Sequence, residues 1–522
     1  MNGTRQPEAV SGAVAHEGAA PTQDRYRRAR WPGGLETAAL LWLAGLGAVN
    51  LYRAATQSIT ADEAFTYNHF AGGDVPVRVY DANNHVLFTW LARAAVATLG
   101  LSELSLRLPS VAAGWAYLAW AFVFARRWIA RPWLFTLTVA ALSLNPFLLD
   151  FLSAARGYGL ALAFFGWAFY WAVRDLAAAA PSRARWRWIA VCLALAVAAN
   201  LNFAVPGAAL AGAFCVLTAL AKPPAARRLA ELVRSLLLPG LLLAAAMLAW
   251  PLRTARREAF YFGVEELRQT LQGLIFYSFC YRSPERPSAL QVFFWTVAPW
   301  WTLAVLGIAA VLCGWGLARM GKWSVEGWPP DRCLLMLASM TSWLGLGILL
   351  LLKNLFGLKY PVDRTAIYWI PLVTVLGLSV AAAARNRLTR LASSPLAAFL
   401  ALACVQYALQ FDTSYYAQWR YDAGTREMVE TIRRREAAAP RPRVRIGASW
   451  VFEPSLNFYR QRYRLEWLEN VTRDGPRGDY DYYLLVGEDV ALVEAMKLEV
   501  LRRDPLSGAV LAAPRGMVQS RP

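Results

Sequence analysis

Long apolar stretches separated by short polar ones dominate this chain. A bilayer-crossing helix needs about 20 mostly apolar residues. Stretches of that kind fall at roughly 35–55, 107–125, 133–150, 154–173, 187–203, 204–221, 235–252, 292–318, 333–355, 366–384 and 395–411, and predict about eleven transmembrane helices. Only NLNFAVPG separates 187–203 from 204–221. With the N-terminus inside, alternate connections are ARRWIARP, RDLAAAAPSRARWRW, AKPPAARRLAELVRS, ARMGKWSVEGWPPDR and ARNRLTRLASSP, all rich in Arg and Lys. The opposite connections near 151–153 and 200–206 contain neither residue. That asymmetry is what the positive-inside rule requires, and it sets the N-terminus on the cytoplasmic side.

Three segments on the outer side are large: about 56–106, 253–291 and 412–522. In the first, HVLFTWLARAAVATLG is apolar but short and interrupted by Arg93, which suits a helix lying in the interface. The last segment changes character. RVRIGASW and YDYYLLVG read as short strands, and EPSLNFYRQRY and EDVALVEAMKLEV as helices. The pattern predicts a polytopic α-helical membrane protein with a small C-terminal α/β extracytoplasmic domain. The expected division is a disordered cytoplasmic tail at 1–34, a membrane domain at 35–411 and an outer domain at 412–522.

Composition agrees. The 522 residues are 57% hydrophobic with 23 Trp and a net charge of +19, and mean hydropathy is +0.32. In such a chain excess Lys and Arg set topology and meet anionic headgroups. No nucleic-acid signature is present, so nucleic acid is not an expected partner. Of the 6 cysteines, Cys192, Cys215, Cys313, Cys333 and Cys404 lie in apolar stretches, no CxxC occurs, and neither a disulfide framework nor a zinc site is expected. The first ~30 residues, ending QDRYRRAR, read as a polar tail and not as a cleavable signal peptide.

The residues with chemical potential all fall on the outer side of this topology. SITADEAFTYNHF follows the first span and carries Asp62 beside Glu63. VYDANNHVLF supplies Asp81, Asn83, Asn84 and His85, and LSELSLRLPS supplies Arg107 at the mouth of the second span. NPFLLDFLSAARGYGLAL contributes Asp150, Arg156 and Tyr158, and LKYPVDRTAIYW contributes Lys359, Tyr360, Asp363 and Arg364. Acids and cations from distant segments could thus converge on an anionic lipid headgroup and a second substrate. Each has an ordinary reading too. An acid pair in a loop is commonly solvated, and Arg156 could snorkel to the headgroups. His85 could cap a helix, and Asp363–Arg364 could pair locally. Arg156 nonetheless opens an apolar helix, where a charge is costly unless paired or functional.

The order of these motifs resembles a known family. ADEAFTYNHF, then NNHVLFTWLARAAVATLGLSELSLRLPSV, then SAARGYGLALAFFGWAFY look like the GT-C superfamily of membrane glycosyltransferases. The similarity is to bacterial members such as protein O-mannosyltransferases and lipid A aminoarabinose transferases. It covers roughly residues 35–180; the remainder fits through topology and the KYPVDRTAIY loop. The resemblance implies an inverting transferase of the inner membrane that moves a sugar from a polyprenyl-phosphate donor to an outer-face acceptor. It places the catalytic acid at Asp62. The substrate-binding positions it implies are Glu63, Asp81, His85, Arg107, Arg156, Tyr158, Lys359, Tyr360 and Arg364. Where relatives carry His-Pro, Val86 follows His85 here, and Lys359 and Arg364 both remain candidates for the donor phosphate.

The chemistry such a site needs is modest. A phosphate is already a good leaving group, so one carboxylate suffices to take the acceptor's proton. Cations stabilise charge on the departing phosphate, best in a dry site. One base opposite the leaving group gives inversion, unlike the two-carboxylate arrangement of glycoside hydrolases. Near Asp62 there is no Asp-x-Asp, and DYD at Asp479–Asp481 reads as the approach to a strand; no cofactor and no metal requirement are expected. The competing classes are a transporter or flippase, a lipid-linked glycan ligase, and an inactive scaffold. A transporter predicts inverted repeats and mid-membrane polar residues, and neither is visible.

Overall fold

The structure is a computed structural model that describes residues 34–73, 81–178, 180–221, 225–256, 262–282, 284–318, 329–384 and 386–515. The predicted N-terminal tail and most of ARMGKWSVEGWPPDR lie outside these residues. Eight described helices are long and apolar enough to cross a membrane: Leu35–Thr56, Glu103–Trp128, Leu201–Leu220, Arg228–Leu252, Ala289–Ala318, Pro330–Phe356, Asp363–Ala383 and Arg387–Gln410. The chain is a multi-pass membrane protein.

The eight differ from the eleven stretches for local reasons. The first half of the chain runs α1 (Leu35–Thr56), α2 (Ala61–Thr66), α3 (Val86–Leu99), α4 (Glu103–Trp128), α5 (Pro132–Ser143), α6 (Pro146–Phe151), α7 (Tyr158–Leu176) and α8 (Arg183–Ala199). Stretch 133–150 is two helices because Asn145 caps the second, its Oδ1 accepting from Leu148 N at 3.1 Å. Pro146 sits at the first position of that helix, where a missing N–H is harmless. Residues 152–157 form a turn, so α7 starts only at Tyr158. It ends on Arg174 and Asp175, which lower its hydropathy. Helix α8 has 17 residues and opens with three arginines, Arg183, Arg185 and Arg187.

Contacts separate the two ends of the bundle. Arg126 pairs with Glu36 at 3.0 Å, Arg131 donates to the carbonyls of Ala381 and Ala384, and Arg183 pairs with Glu231 at 3.2 Å. The described parts of four basic connections therefore pair with one another or with the start of α1. At the other end of α1 its last turn meets the first turns of α4 and the segment 411–426, through Arg107, Glu103 and Arg426. Helix α3 has 14 residues, about 21 Å long at 1.5 Å each, too short to span. It buries Phe88, Thr89 and Ala92 and leaves Trp90, Leu91 and Leu99 exposed, the one-sided pattern of an interfacial helix.

The C-terminal region carries a four-stranded sheet in the order β1-β2-β4-β3, with β1 (Ile446–Ala448), β2 (Tyr482–Leu485), β3 (Leu498–Arg503) and β4 (Val510–Pro514). β1 pairs parallel to β2, while β2–β4 and β4–β3 are antiparallel. β1 and β2 are buried throughout, as a strand covered on both faces must be. The helix read over EDVALVEAMKLEV ends at Ala495, and its final residues enter β3 instead. Lys497 adopts a positive φ of 53° there, and the β-branched and leucine-rich LEVL pairs with β4, which reverses the chain. Helix Glu453–Arg462 packs on α2, so this region and the membrane helices share one apolar core.

Candidate active site

The acid pair divides because neighbours on a helix point about 100° apart. Thr60 caps α2 and Glu63 occupies its third position. The Thr60 Oγ1 accepts from Glu63 N at 3.3 Å and Glu63 Oε2 accepts from Thr60 N at 2.9 Å, a reciprocal capping box. That geometry turns Glu63 inward. Its carboxylate receives Arg107 Nε at 2.8 Å and Nη2 at 2.6 Å, and Ala155 N at 2.5 Å. Both side chains are fully buried. Arg107 spends its remaining donors on the carbonyls of Ala54, Gln57 and Ser58. Glu63 and Arg107, expected at the substrate, form instead an internal brace that ties α1, α2, α4 and the 152–157 turn together.

Asp62, one position earlier, faces a cleft of about 450 Å³. Arg364 Nη2 lies 2.9 Å from Asp62 Oδ2, and the two side chains are 17% and 26% exposed. Arg364 Nη1 also donates to Gln418 Oε1 at 3.3 Å, and its guanidinium stands over the rings of Phe262 and Trp419. Arg364 belongs to a short 3-10 turn, Asp363–Ala366, whose first residue has φ 50°, in the left-handed region that L side chains seldom occupy. Arg156 stands behind Asp62, outside the residues that line the cleft. It is buried, and its Nη1 donates to Thr66 Oγ1 at 2.7 Å and to the Asp62 carbonyl at 3.2 Å. Its Nη2 reaches Asn83 Oδ1 at 3.4 Å, and its Nε finds no partner among the described residues. Burial alone would push the Asp62 carboxyl up, but Arg364, Arg156 and a bond from Trp419 hold it below its usual value. Asp62 is thus an ionised carboxylate at neutral pH with two cations beside it.

The other expected residues distribute around this centre. Asp81 lines the cleft and accepts from Asn83 N at 2.7 Å. His85 is buried behind it, with Nδ1 3.1 Å from both the Ala199 carbonyl and Asn200 Nδ2. Burial, with Arg156 nearby, keeps its imidazole well below its usual pKa and neutral. Tyr158 packs edge-on to Phe151 and against His85, and its side chain reaches Arg364. Gly157 lets this turn form: a Cβ there would fall 1.9 Å from the Ala199 carbonyl and 2.7 Å from His85 Nδ1. Lys359 and Tyr360 stand apart from the cleft. Lys359 is 3.9 Å from Glu265 and Tyr360 pairs its backbone with Val264. Asp150 is locked by Arg53 at 2.5 Å and by Ala417 N at 2.8 Å.

Residues that the sequence did not mark complete the walls: Phe65, Phe262, Tyr421, Trp450, Val451, Pro454 and Arg473. Several lie in the C-terminal region, more than 380 positions from Asp62, and no local pattern ties them to it. Glu63 was different, since T-x-x-E over Thr60–Glu63 is a capping-box signature that assigns its side chain to the backbone. Asp422 was also unmarked. Its Oδ2 accepts from Ala61 N at 2.7 Å, holding the first amide of α2. Burial pushes this carboxyl up to about 8, with Glu63 adding to the rise, against bonds from Ser455, Ala61 and Thr425. No group of three His, Cys, Asp or Glu able to hold a metal occurs among the described residues.

No protein-family model matches this sequence, and no curated protein matches it. Solved structures similar in outline include two states of one protein. The crystal structure of ArnT from Cupriavidus metallidurans bound to undecaprenyl phosphate aligns at a TM-score of 0.45 with 16% identity, covering 92% of this chain and 98% of that one. The apo state of the same protein gives 0.42 and 16% over the same shares.

Proposed function

We propose that this protein is an inverting membrane glycosyltransferase that takes a sugar from a polyprenyl-phosphate donor. The observation that carries the reading is Asp62, an ionised carboxylate in a cleft at one end of a multi-pass bundle, flanked by Arg364 at 2.9 Å and by Arg156 beneath it. The sequence resemblance to GT-C enzymes supports the same assignment. The cleft opens at the end opposite the Arg-rich connections, which favours an outer-face site and an extracytoplasmic C-terminal region.

In the proposed step the acceptor's hydroxyl or amine attacks the anomeric carbon. Asp62 takes the proton, the bond between that carbon and the phosphate oxygen breaks, and the electron pair leaves with polyprenyl phosphate. Attack opposite the leaving group inverts the anomeric centre. Arg364 holds the phosphate, its donors strengthening as the charge grows, and Arg156, buried behind Asp62, adds positive charge from the protein side. In the resting site Arg364 neutralises Asp62. A donor phosphate that draws Arg364 away removes the main influence holding the carboxyl down, so donor binding itself makes Asp62 a better base. Tyr158, which reaches Arg364, steadies that guanidinium.

The test is transfer by purified protein in nanodiscs, and comparative mass spectrometry of envelope lipids, glycans and exported proteins with and without the gene. Asp62→Asn should lower turnover by about 10²–10⁴-fold, the usual worth of a general base, with the fold intact. Full activity in a correctly inserted Asp62→Asn protein overturns the mechanism, and an unchanged envelope favours a transporter or scaffold.

A further inference from the structure

Among the exposed tryptophans, Trp450 is unusual in its setting. Most others project from membrane-crossing helices, such as Trp42, Trp250, Trp300 and Trp315, where a ring facing lipid or its interface is ordinary. Trp450 belongs to the sheet-bearing C-terminal region, is 62% exposed, and lines the Asp62 cleft.

Its backbone is held rigidly. Trp450 opens a 3-10 turn, Trp450–Phe452, immediately after β1. Ser449 N donates to the Leu484 carbonyl of β2 at 2.9 Å, and Phe452 N donates back to Ser449 O at 2.9 Å. Phe452 is fully buried, so the turn is pinned on one side while the indole is left open on the other. Pro454, also in the wall, is tied to the segment after α2 through its carbonyl, which accepts from Asn68 Nδ2 at 2.9 Å. Arg473 stands on the same wall. Its Nε donates to Glu453 Oε2 at 3.1 Å, Glu453 Oε1 accepts from Asn457 at 2.7 Å, and half of the Arg473 side chain stays exposed.

From this geometry we infer that Trp450 and Arg473 form the acceptor subsite, and that the acceptor presents a saccharide ring. The inference rests on the glycosyltransferase reading and adds the acceptor's class. The donor-side cation in the cleft lining, Arg364, comes from another element and is paired with Asp62. What remains is a preformed indole face with polar groups around it: Arg473, Asp81 and Asn83. A pyranose has that mixed character, one face of C–H bonds for an aromatic ring and a rim of hydroxyls for charged and amide groups. An acyl chain would use the indole but none of the polar groups beside it, whereas a saccharide ring uses both.

The test uses the full chain in nanodiscs and saturation-transfer NMR with methyl α-mannoside, methyl β-glucoside and methyl β-galactoside, and glycerol as a ring-less control. The expected result is saturation of ring C–H protons for at least one glycoside and none for glycerol. Trp450→Ala should cut that signal about tenfold and Trp450→Phe should restore much of it, as an aromatic contact predicts. Asp62→Asn should leave it unchanged while abolishing transfer. Persistence of the signal when citronellyl-phosphate mannose is added supports an acceptor subsite; displacement overturns it in favour of the donor's sugar. Absence of ring saturation in the parent protein, or equal saturation in Trp450→Ala, overturns the inference even if Asp62→Asn is inactive. An active Asp62→Asn protein with intact ring binding would instead sink the mechanism and leave the saccharide site standing.

Discussion

Replacing Glu63 by Gln separates structural from chemical use of the acid pair. Glu63 accepts from Arg107 twice, from Ala155 N and from Thr60 N, at 2.5–2.9 Å. A glutamine has the same shape but one oxygen and no charge. Whichever way its amide turns, an NH₂ group faces two of those four donors. Arg107 is then a fully buried cation without a counter-charge. Removing one partner of a buried pair costs about 3–5 kcal/mol, a large part of the ~5–15 kcal/mol that holds a typical domain. The Asp62–Arg364 pair keeps some exposure, and Arg364 retains Gln418 and two aromatic faces when Asp62 becomes Asn, so breaking it costs less. Thermal melting of detergent-solubilised protein, read by size-exclusion recovery, should therefore show a marked loss for Glu63→Gln and a smaller one for Asp62→Asn. Arg107→Met introduced beside Glu63→Gln should recover part of the loss, since it removes the orphaned charge, with a coupling of about 0.5–3 kcal/mol. If Glu63→Gln melts like the parent and still loses transfer, the brace is not what Glu63 provides and the residue belongs to the chemistry.

Arg364→Ala should reduce transfer about 10²-fold or more, the scale of removing one charge-stabilising donor, with Arg364→Lys intermediate because it lacks the planar fork. Lys359→Ala should stay within about twofold, since its contact is with Glu265 outside the cleft; equal losses in the two alanine variants would refute this division. Asp422 predicts a pH dependence. Its carboxyl sits at about 8 when folded, against an ordinary 3.8, so the folded chain keeps a proton that the unfolded chain has released. Its contribution to stability is complete below about pH 4 and is lost as the pH rises towards 8, at up to about 1.4 kcal/mol per unit. Melting scans from pH 5 to 8 should slope downward in the parent and flatten in Asp422→Asn, whose amide can still accept from Ala61 N and donate to Thr425. A parallel slope in both would exclude Asp422 as its source.

How much of the site was legible varied residue by residue. Asp62 and Arg364 were both marked, one by its place after the first predicted span and one by its place before the span expected at 366–384, and the fold sets them 2.9 Å apart. Lys359, five positions from Arg364, looked equivalent in sequence. The difference is the turn at Asp363–Ala366, which aims Arg364 into the cleft while Lys359 leaves towards Glu265. Glu63 was expected at the substrate, although its spacing from Thr60 is that of a capping box, which the structure shows it forms. Trp450, Tyr421 and Arg473 carried no signal, since an aromatic or arginine in a soluble-looking segment has nothing local to distinguish it.

Sequence alone determined what depends on local composition: which stretches are apolar, where the basic connections lie along the chain, and the expectation that acids and cations would meet on one side. Those follow from hydropathy and charge, each felt within a few residues. The break at Asn145 and Pro146 inside the expected 133–150 span came from the structure. Tertiary structure decided which of two adjacent carboxylates faces solvent and which is sealed against Arg107, and which late-loop cation meets Asp62. It also brought a wall from the C-terminal region over a loop near the N-terminus. Those outcomes depend on packing between segments hundreds of positions apart, where the same charge is expensive in one orientation and useful in the next.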